Sequence, residues 1–343
     1  WKASATAFNN ATTRVGHIDS LAHAGSRPVE SVAVDRNLYL TIYNGAEDTY
    51  ELWYCDGEQP VLVIDVDAEH LPDRKLHLAA VEGVLFFTNF DDAHGLELWK
   101  SYGTEERTSL VADIRPGNDG SFPKKLTAVG DTLFFSADDG AFGNELWKSD
   151  GTGTGTVLVA DIRLGSLGSS PGSMAAVGDI LFFSAFGEEL WKSDGTETGT
   201  VMVKDIDPGS DQSNPLSLTV LGDTLFFSAD DGIHGNELWK SDGTAGGTLQ
   251  VKDIGSGSLS SYPNILTAVG DTLLFSAVVG LHGNELWKSD GSVEGLVLVE
   301  VIGCGSCGGE LSNLTAMGDI LFFTADDGFH GDELWISDGT ADG

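Results

Sequence analysis

Glu145-Leu-Trp-Lys-Ser-Asp-Gly-Thr152 is one copy of a motif that recurs along the whole chain. Its Glu-Leu-Trp core occurs seven times, and the tryptophans of these copies are Trp53, Trp99, Trp147, Trp191, Trp239, Trp287 and Trp335. With Trp1 included, successive tryptophans lie 52, 46, 48, 44, 48, 48 and 48 residues apart. A period in the forties that consists of short strands is typical of propeller blades and not of helical repeats.

The repeat around Trp147 shows what one period contains. Its alternating and apolar runs predict four strands: Lys125–Val129, Thr132–Ala137, Glu145–Lys148 and Val157–Ile162. Gly130-Asp131 between the first two is a tight-turn sequence. The aromatic second strand is expected to be buried on both faces. No stretch combines a period of 3.6 with helix caps, so we expect almost no helix.

Seven such repeats predict an all-β fold, a seven-bladed β-propeller with four antiparallel strands per blade, as a single domain over residues 1–343. The sequence ends on a third strand, Glu333–Trp335, and begins with the fourth-strand remnant Arg14–Ile18. We therefore expect the N-terminal strand to complete the last blade in a three-plus-one closure, which leaves no raw sheet edges. A linear β-solenoid is the structural alternative.

Composition limits the classes of partner. The 343 residues include 53 acidic and 18 basic side chains, a formal net charge of −35. Nucleic acid and anionic membrane surfaces would repel such a chain. No apolar stretch reaches the roughly 18 residues of a membrane span, so no membrane insertion is expected and the chain is predicted to be soluble. It opens at Trp1 without an initiator Met, which predicts a processed form or a fragment of a longer chain. The acidity could also reflect a saline habitat.

The motif resembles the bacterial ELWxxDGT repeat, and the resemblance covers essentially the whole chain. The match is specific at Glu145–Thr152, Glu189–Thr196 and Glu237–Thr244, and looser at Glu51–Gly57 and Glu97–Gly103. The resemblance implies a propeller-like repeat in large secreted or cell-surface proteins, with other extracellular proteins or glycans as partners. It brings no agreed catalytic residues.

The loop between the second and third strands is the best candidate metal site. Paired aspartates precede a glycine in this loop or in its one-residue-shorter form: Asp91, Asp92, Asp138, Asp139, Asp230, Asp231, Asp326 and Asp327. Hard carboxylate oxygens in a glycine-bent loop suit Ca²⁺, which is the one cofactor we expect. The alternative is that these aspartates cap turns. His94, His234, His282 and His330 share the loop, and we expect each to hydrogen-bond within its own loop rather than bind a transition metal.

Three further features are candidates for modification. Cys304 and Cys307 form a Cys-x-x-Cys sequence. It predicts a local disulfide or two bystander thiols and not a redox or zinc site, because there is no second pair and no thioredoxin-like strand-helix context. Asn10 and Asn313 begin glycosylation sequons if the chain is secreted.

The repeat tryptophans are predicted to be core, and most departures from the repeat are losses rather than gains of catalytic side chains. No Ser-His-Asp set or phosphate loop stands out. We therefore predict a non-enzymatic extracellular scaffold within a larger assembly, stabilised by calcium. A multivalent carbohydrate-binding propeller is the alternative, because repeated loops raise avidity. A propeller hydrolase ranks third.

Overall fold

A computed structural model describes residues 27–57, 59–186, 189–208, 212–278, 280, 283–302 and 311–340. Within these residues, twenty-seven strands form seven antiparallel sheets, six with four strands and the last with three. The helical elements of this described part are two single 3₁₀ turns, Ala68–His70 and Glu105–Arg107. Successive up-and-down four-stranded sheets are the blades of a β-propeller-type fold, so the predicted all-β class and seven repeats are confirmed.

Contacts divide the chain into two compact units, and the boundary runs through the third sheet. Unit 1 comprises Trp1–Leu133, Asp138–Gly140 and Ser149–Thr156, and unit 2 comprises the remaining residues. The prediction of a single domain stays a prediction. None of the helices in the described ranges is long and apolar enough to cross a membrane.

The first two sheets lie in unit 1. Their strands are β1 (Arg27–Val34), β2 (Asn37–Asn44), β3 (Thr49–Cys55), β4 (Val61–Asp67), β5 (Ala79–Val81), β6 (Val84–Asp91), β7 (Gly95–Ser101) and β8 (Thr108–Ala112). The third sheet contains β9 (Lys124–Val129), β10 (Thr132–Asp138), β11 (Asn144–Ser149) and β12 (Val157–Ala160). These last four match the four strands predicted for this repeat to within two residues at each end.

The other four sheets lie in unit 2. Their strands are β13 (Met174–Val177), β14 (Ile180–Ala185), β15 (Glu189–Ser193), β16 (Val201–Lys204), β17 (Leu216–Leu221), β18 (Thr224–Asp230), β19 (Asn236–Ser241), β20 (Leu249–Lys252), β21 (Asn264–Val269), β22 (Thr272–Val278), β23 (Asn284–Ser289), β24 (Val297–Glu300), β25 (Ser312–Met317), β26 (Ile320–Asp326) and β27 (Asp332–Ser337). Strands pair with their sequence neighbours in each sheet.

The second strand of each sheet forms the core, as its sequence predicted. In β18, Leu225 and Phe227 are fully buried on one face and Phe226 is 2% exposed on the other. Both faces are apolar because the strand has a paired strand on each side and packs against side chains from neighbouring sheets. The third strand adds Leu238 and Trp239, which are 0% and 5% exposed. The predicted core role of this tryptophan is confirmed.

The last sheet differs from the others at its outer edge. In the described residues β27 pairs with β26 alone, and Leu334 and Ile336 on β27 are 70% and 60% exposed. The equivalent Leu286 of the preceding sheet is 1% exposed. Arg14–Ile18, the strand predicted to close this edge, lies outside the described residues.

Candidate functional site

The glutamates of five of the seven Glu-Leu-Trp motifs hold the connection to the next repeat. Glu237 is fully buried, and its carboxylate accepts hydrogen bonds from the backbone N–H groups of Ile254 at 3.0 Å and Gly255 at 2.9 Å, and from Ser261 Oγ at 2.6 Å. The same connection is held by Glu97, Glu145, Glu189 and Glu285. These glutamates therefore act in folding and not as a solvent-facing site.

Burial has an electrostatic consequence at these positions. Removal from water raises the pKa of Glu97, Glu145, Glu189 and Glu237, and the hydrogen bonds that they accept offset part of that rise. A raised pKa at a buried carboxylate can mark a catalytic acid. Here the recurrence of the same environment in four repeats indicates a structural role instead.

The lysine that follows five of the seven motif tryptophans is also structural. Lys240 Nζ donates to the carbonyl oxygen of Gly291 in the next repeat at 2.7 Å. Equivalent bonds of 2.7 to 2.9 Å are made by Lys100, Lys148, Lys192 and Lys288. The Asp-Gly turn that supplies this carbonyl is stabilised by its own aspartate, because Ser292 N–H donates to Asp290 Oδ1 at 2.8 Å. That aspartate therefore acts in the turn.

The acidic loops predicted to bind calcium are held by internal hydrogen bonds. Asp138, Asp230 and Asp326 each accept the backbone N–H two residues ahead at 2.7 to 2.8 Å. Asp91, Asp231 and Asp327 each accept two backbone N–H groups. Asp92 is exposed on its loop, and Asp139 has interactions of its own. The carboxylates do cap turns, and their binding of calcium stays a prediction.

Three of the four loop histidines make the hydrogen bond that the sequence predicted. Nδ1 of His94, His234 and His330 lies 2.7 to 2.9 Å from a carboxylate oxygen of Asp91, Asp231 and Asp327 respectively. That bond raises the pKa of each of these histidines. His282 lies outside the described residues.

The predicted modification sites are only partly within the described chain. Cys304, Cys307 and Asn10 lie outside it. Asn313 lies exposed on β25, where its amide donates to Thr324 Oγ1 at 3.1 Å. Cys55 is a buried free thiol.

A charged cavity in unit 1 is the candidate functional site. It has a volume of about 400 Å³, and its polar walls come from β1, the segment before β5, and β9: Glu30, Asp73, Lys75, His77, Lys124 and Lys125. Leu78 and Leu126 supply apolar wall. Within unit 1, β1 lies against β5 and β5 lies against β9, which is what brings these residues together.

Three of these residues occupy one repeat position. Every repeat has a residue with a positive φ of 46 to 62° at the start of its first turn, for example Gly130. Five residues before it stand Glu30, His77 and Lys125 in the first three repeats. The same position holds Ser173, Ser217, Ile265 and Asn313 in the other four. Ionisable side chains at this position are therefore confined to unit 1.

The backbone at this position is left-handed in most repeats. His77 has a φ of 51° and Lys125 has a φ of 59°, and Ser217, Ile265 and Asn313 share the conformation. The pairing of the first two strands shifts register at the same place in β17, β21 and β25, as in a β-bulge. Bulges redirect side chains. The same distortion therefore takes the side chain at this position out of the regular alternation of the strand.

Hydrogen bonds and ion pairs order the cavity wall. Glu30 Oε2 accepts the backbone N–H groups of Leu76 and His77 at 3.1 and 3.2 Å, which ties β1 to the segment before β5. Asp73 Oδ2 lies 2.9 Å from His77 Nε2 and 3.0 Å from Lys124 Nζ. Burial alone would raise the pKa of Asp73, but the charges and hydrogen bonds of His77 and Lys124 hold it below its ordinary value. Both acids of the cavity are thus already engaged.

This arrangement favours binding of a negatively charged group. Lysine ammonium groups offer three donors each and no acceptor. The eight residues that line the cavity include no Ser, Thr or Cys nucleophile. Binding and positioning of an anionic group are chemistry that the lysine side chains can perform.

The sequence did not predict this cavity, because the recurring carboxylates of the loop between the second and third strands were the more conspicuous candidate site. The signal was present in two short basic segments, Asp73-Arg-Lys-Leu-His77 and Lys124-Lys125. Aligning the repeats on the first-turn residue would have shown a titratable side chain at one position in three consecutive copies.

Comparisons with known proteins place the fold but not a family. No protein-family model matches the chain, and no curated protein is similar in sequence. The computationally designed Ika8 protein matches with a TM-score of 0.55 and 14% identity over 92% of this chain and 85% of its own. A puromycin-hydrolyzing peptidase of Mycobacterium tuberculosis matches with a TM-score of 0.55 and 12% identity over 92% of this chain and 51% of its own. A prolyl endopeptidase matches with a TM-score of 0.54 and 12% identity over 91% of this chain and 50% of its own.

These matches correct the functional prediction. The chain spans about half the length of the two peptidase chains. The prediction of a structural or interaction scaffold, with a carbohydrate-binding propeller as its alternative, is contradicted, because the two natural structures described above are peptidases. The predictions that the chain is not an enzyme and that it is extracellular stay predictions. The scaffold prediction failed because the repeated residues that dominate the sequence serve packing between repeats, as Glu237 and Lys240 show, and carry no information about a ligand.

Proposed function

We propose that this chain is the propeller part of a peptidase-type protein and that it binds peptide substrates there. The observation that carries the proposal is the fold likeness to two peptidases over 91–92% of this chain, which accounts for about half of each peptidase. The charged cavity of unit 1 supports it, because a cavity of about 400 Å³ lies within the range of ligand sites. In this proposal the chain positions peptides and contributes no catalytic residues of its own.

Peptide binding to the purified chain tests the proposal. Fluorescently labelled peptides of about five to ten residues would be titrated by anisotropy, with labelled oligosaccharides of similar mass as controls. We expect saturable binding of peptides and none of the oligosaccharides. Absence of binding by every peptide would overturn the proposal.

Mass spectrometry of the same mixtures tests the absence of catalysis. We expect the peptides to remain intact after prolonged incubation with the chain. Cleavage that disappears on purification would indicate a contaminant, whereas cleavage that follows the chain through every step would show that it carries catalytic residues.

We further propose that β27 takes a fourth strand, as the corresponding strand does in the other six sheets, and that Arg14–Ile18 supplies it. The exposed Leu334 and Ile336 support the proposal, because a paired outer strand would cover apolar surface there. Deletion of residues 1–20 is then expected to lower the melting temperature by several degrees. An unchanged melting temperature would contradict it.

We also propose that the Asp-Asp loops bind calcium, that the chain is extracellular and that it belongs to the ELWxxDGT family. The loops that carry Asp138 and Asp230 share one turn geometry, which supports a common ligand. A melting temperature that rises selectively in millimolar Ca²⁺ would support calcium binding by these loops. Detection of the chain in culture medium and not in cell lysate would support an extracellular location.

A further inference from the structure

Seven lysines of the repeats donate hydrogen bonds to backbone carbonyl oxygens of a following repeat. Besides the five that follow the motif tryptophans, Lys204 Nζ donates to the carbonyl of Thr248 at 2.8 Å and Lys252 Nζ to that of Leu296 at 3.5 Å. The chain has 18 basic residues against 53 acidic ones. A cavity lined by three lysines is therefore unusual in this acidic chain. The setting of these three also differs from that of the seven lysines whose side chains donate to backbone carbonyl groups.

The cavity has more positively charged side chains than its own acidic side chains pair with. Glu30 Oε2 accepts two backbone N–H groups, and Asp73 is shared between His77 and Lys124. Across the described residues, neither Lys75 nor Lys125 takes part in an ion pair, and both are exposed. Two ammonium groups thus face the cavity with donors available to a ligand.

The apolar wall restricts the kind of anion. Leu78 follows His77 and Leu126 follows Lys125, and both line the cavity beside these polar residues. A small inorganic anion would not use this apolar surface. A carboxylate attached to an apolar group would engage both parts of the wall, and charge-assisted hydrogen bonds to lysine are among the stronger polar contacts.

We infer that this cavity binds a carboxylate group of a peptide, with Lys75 and Lys125 as its charge partners and Leu78 and Leu126 against the adjoining apolar side chain. This inference rests on the proposed function and names the part of the peptide that is recognised. His77 is a positioning residue, because its ring contacts Asp73 and its backbone N–H donates to Glu30.

Paired peptides of one sequence test the inference on the full chain. A labelled pentapeptide that ends in leucine would be compared as the free acid and as the C-terminal amide. We expect the free acid to bind about tenfold or more tightly, because one charge-assisted contact is lost in the amide. A third peptide, amidated but with one internal glutamate, separates the two sources of carboxylate.

The outcomes separate this inference from the proposed function. Equal affinity of all three peptides would overturn the inference and leave peptide binding intact. No binding by any of them would overturn both. Tight binding of the free acid alone assigns a terminal carboxylate, and tight binding of the glutamate peptide assigns an acidic side chain, each of which supports carboxylate recognition.

Matched variants locate the site. The double variant Lys75→Ser and Lys125→Ser introduces at position 125 the residue that two equivalent positions carry, so the fold is expected to tolerate it. It should lose the preference for the free acid and keep the wild-type melting temperature. Arg163→Gln, in a separate cavity of about 220 Å³ in unit 2, is the control and should keep the preference. An unchanged preference in the double variant would overturn the assignment.

Discussion

The Glu-Leu-Trp motif of the third strand and the position five residues before the first turn, here called the first-strand position, differ in how much they vary among the repeats. Glu-Leu-Trp is the same in all seven repeats, and in β19 all three of its side chains are at most 5% exposed. The first-strand position holds Glu30, His77 and Lys125 in unit 1 and four uncharged residues in unit 2. The repeated residues build the sheets, whereas the variable position supplies three residues of the cavity wall, of which Lys125 is the one proposed to contact a ligand.

The largest expected effect is at the motif leucine. Leu238→Ala removes a side chain that is fully buried in β19, and we expect it to lower the free energy of unfolding by about 2–5 kcal/mol. Leu249→Ala on β20, where the leucine is 47% exposed, is the matched control and should cost less than about 1 kcal/mol. Urea denaturation of the two variants measures the difference. Similar losses would mean that burial of the motif leucine does not determine its contribution to the free energy of unfolding.

The motif glutamate should follow in magnitude. Glu237→Ala leaves the N–H groups of Ile254 and Gly255 without their acceptor and removes the shorter of the two hydrogen bonds of the Ser261 hydroxyl. Buried donors without partners cost roughly 1–3 kcal/mol, so a loss in that range is expected in chemical denaturation. Glu294→Ala, at an exposed turn residue, should change little. If both variants were equally stable, the connection would be held by its other contacts.

The pH dependence of stability sharpens the same contrast. Burial raises the pKa of Glu237 in the folded chain, so the folded state binds its proton more tightly than the unfolded state does. Stability from this residue is therefore highest below the ordinary glutamate pKa and decreases as pH rises from there towards the raised value. Glu237→Gln cannot titrate. We expect the wild type to lose stability relative to Glu237→Gln between about pH 4 and neutrality, measured by thermal melts. A difference that is constant with pH would contradict the raised pKa.

Most of the fold followed from the sequence, but the site did not. Strands β9 to β12 were predictable because apolar alternation and tight-turn residues are local signals, and the Gly-Asp turn itself recurs in five of the seven repeats. The burial of Glu237 was not, because its partners lie 17 to 24 residues ahead in the connection to the next repeat. The cavity depends on contact between the first strands of successive sheets, and no local pattern shows which of their side chains meet.

The smallest expected effect concerns the backbone at the first-strand position. Lys125 has a φ of 59°, a left-handed conformation that costs a non-glycine residue of order 1 kcal/mol or more and that glycine adopts without strain. Lys125→Gly also increases the freedom of the unfolded chain, which offsets part of this gain. We expect the free energy of unfolding to rise by no more than about 1 kcal/mol in urea denaturation. Ser217→Gly, at the same position with a φ of 54°, is the matched control and should change in the same direction. If Lys125→Gly were destabilising while Ser217→Gly was not, the lysine side chain would contribute to folding, and the distinction between a repeated packing motif and a variable ligand position would not hold in the third repeat.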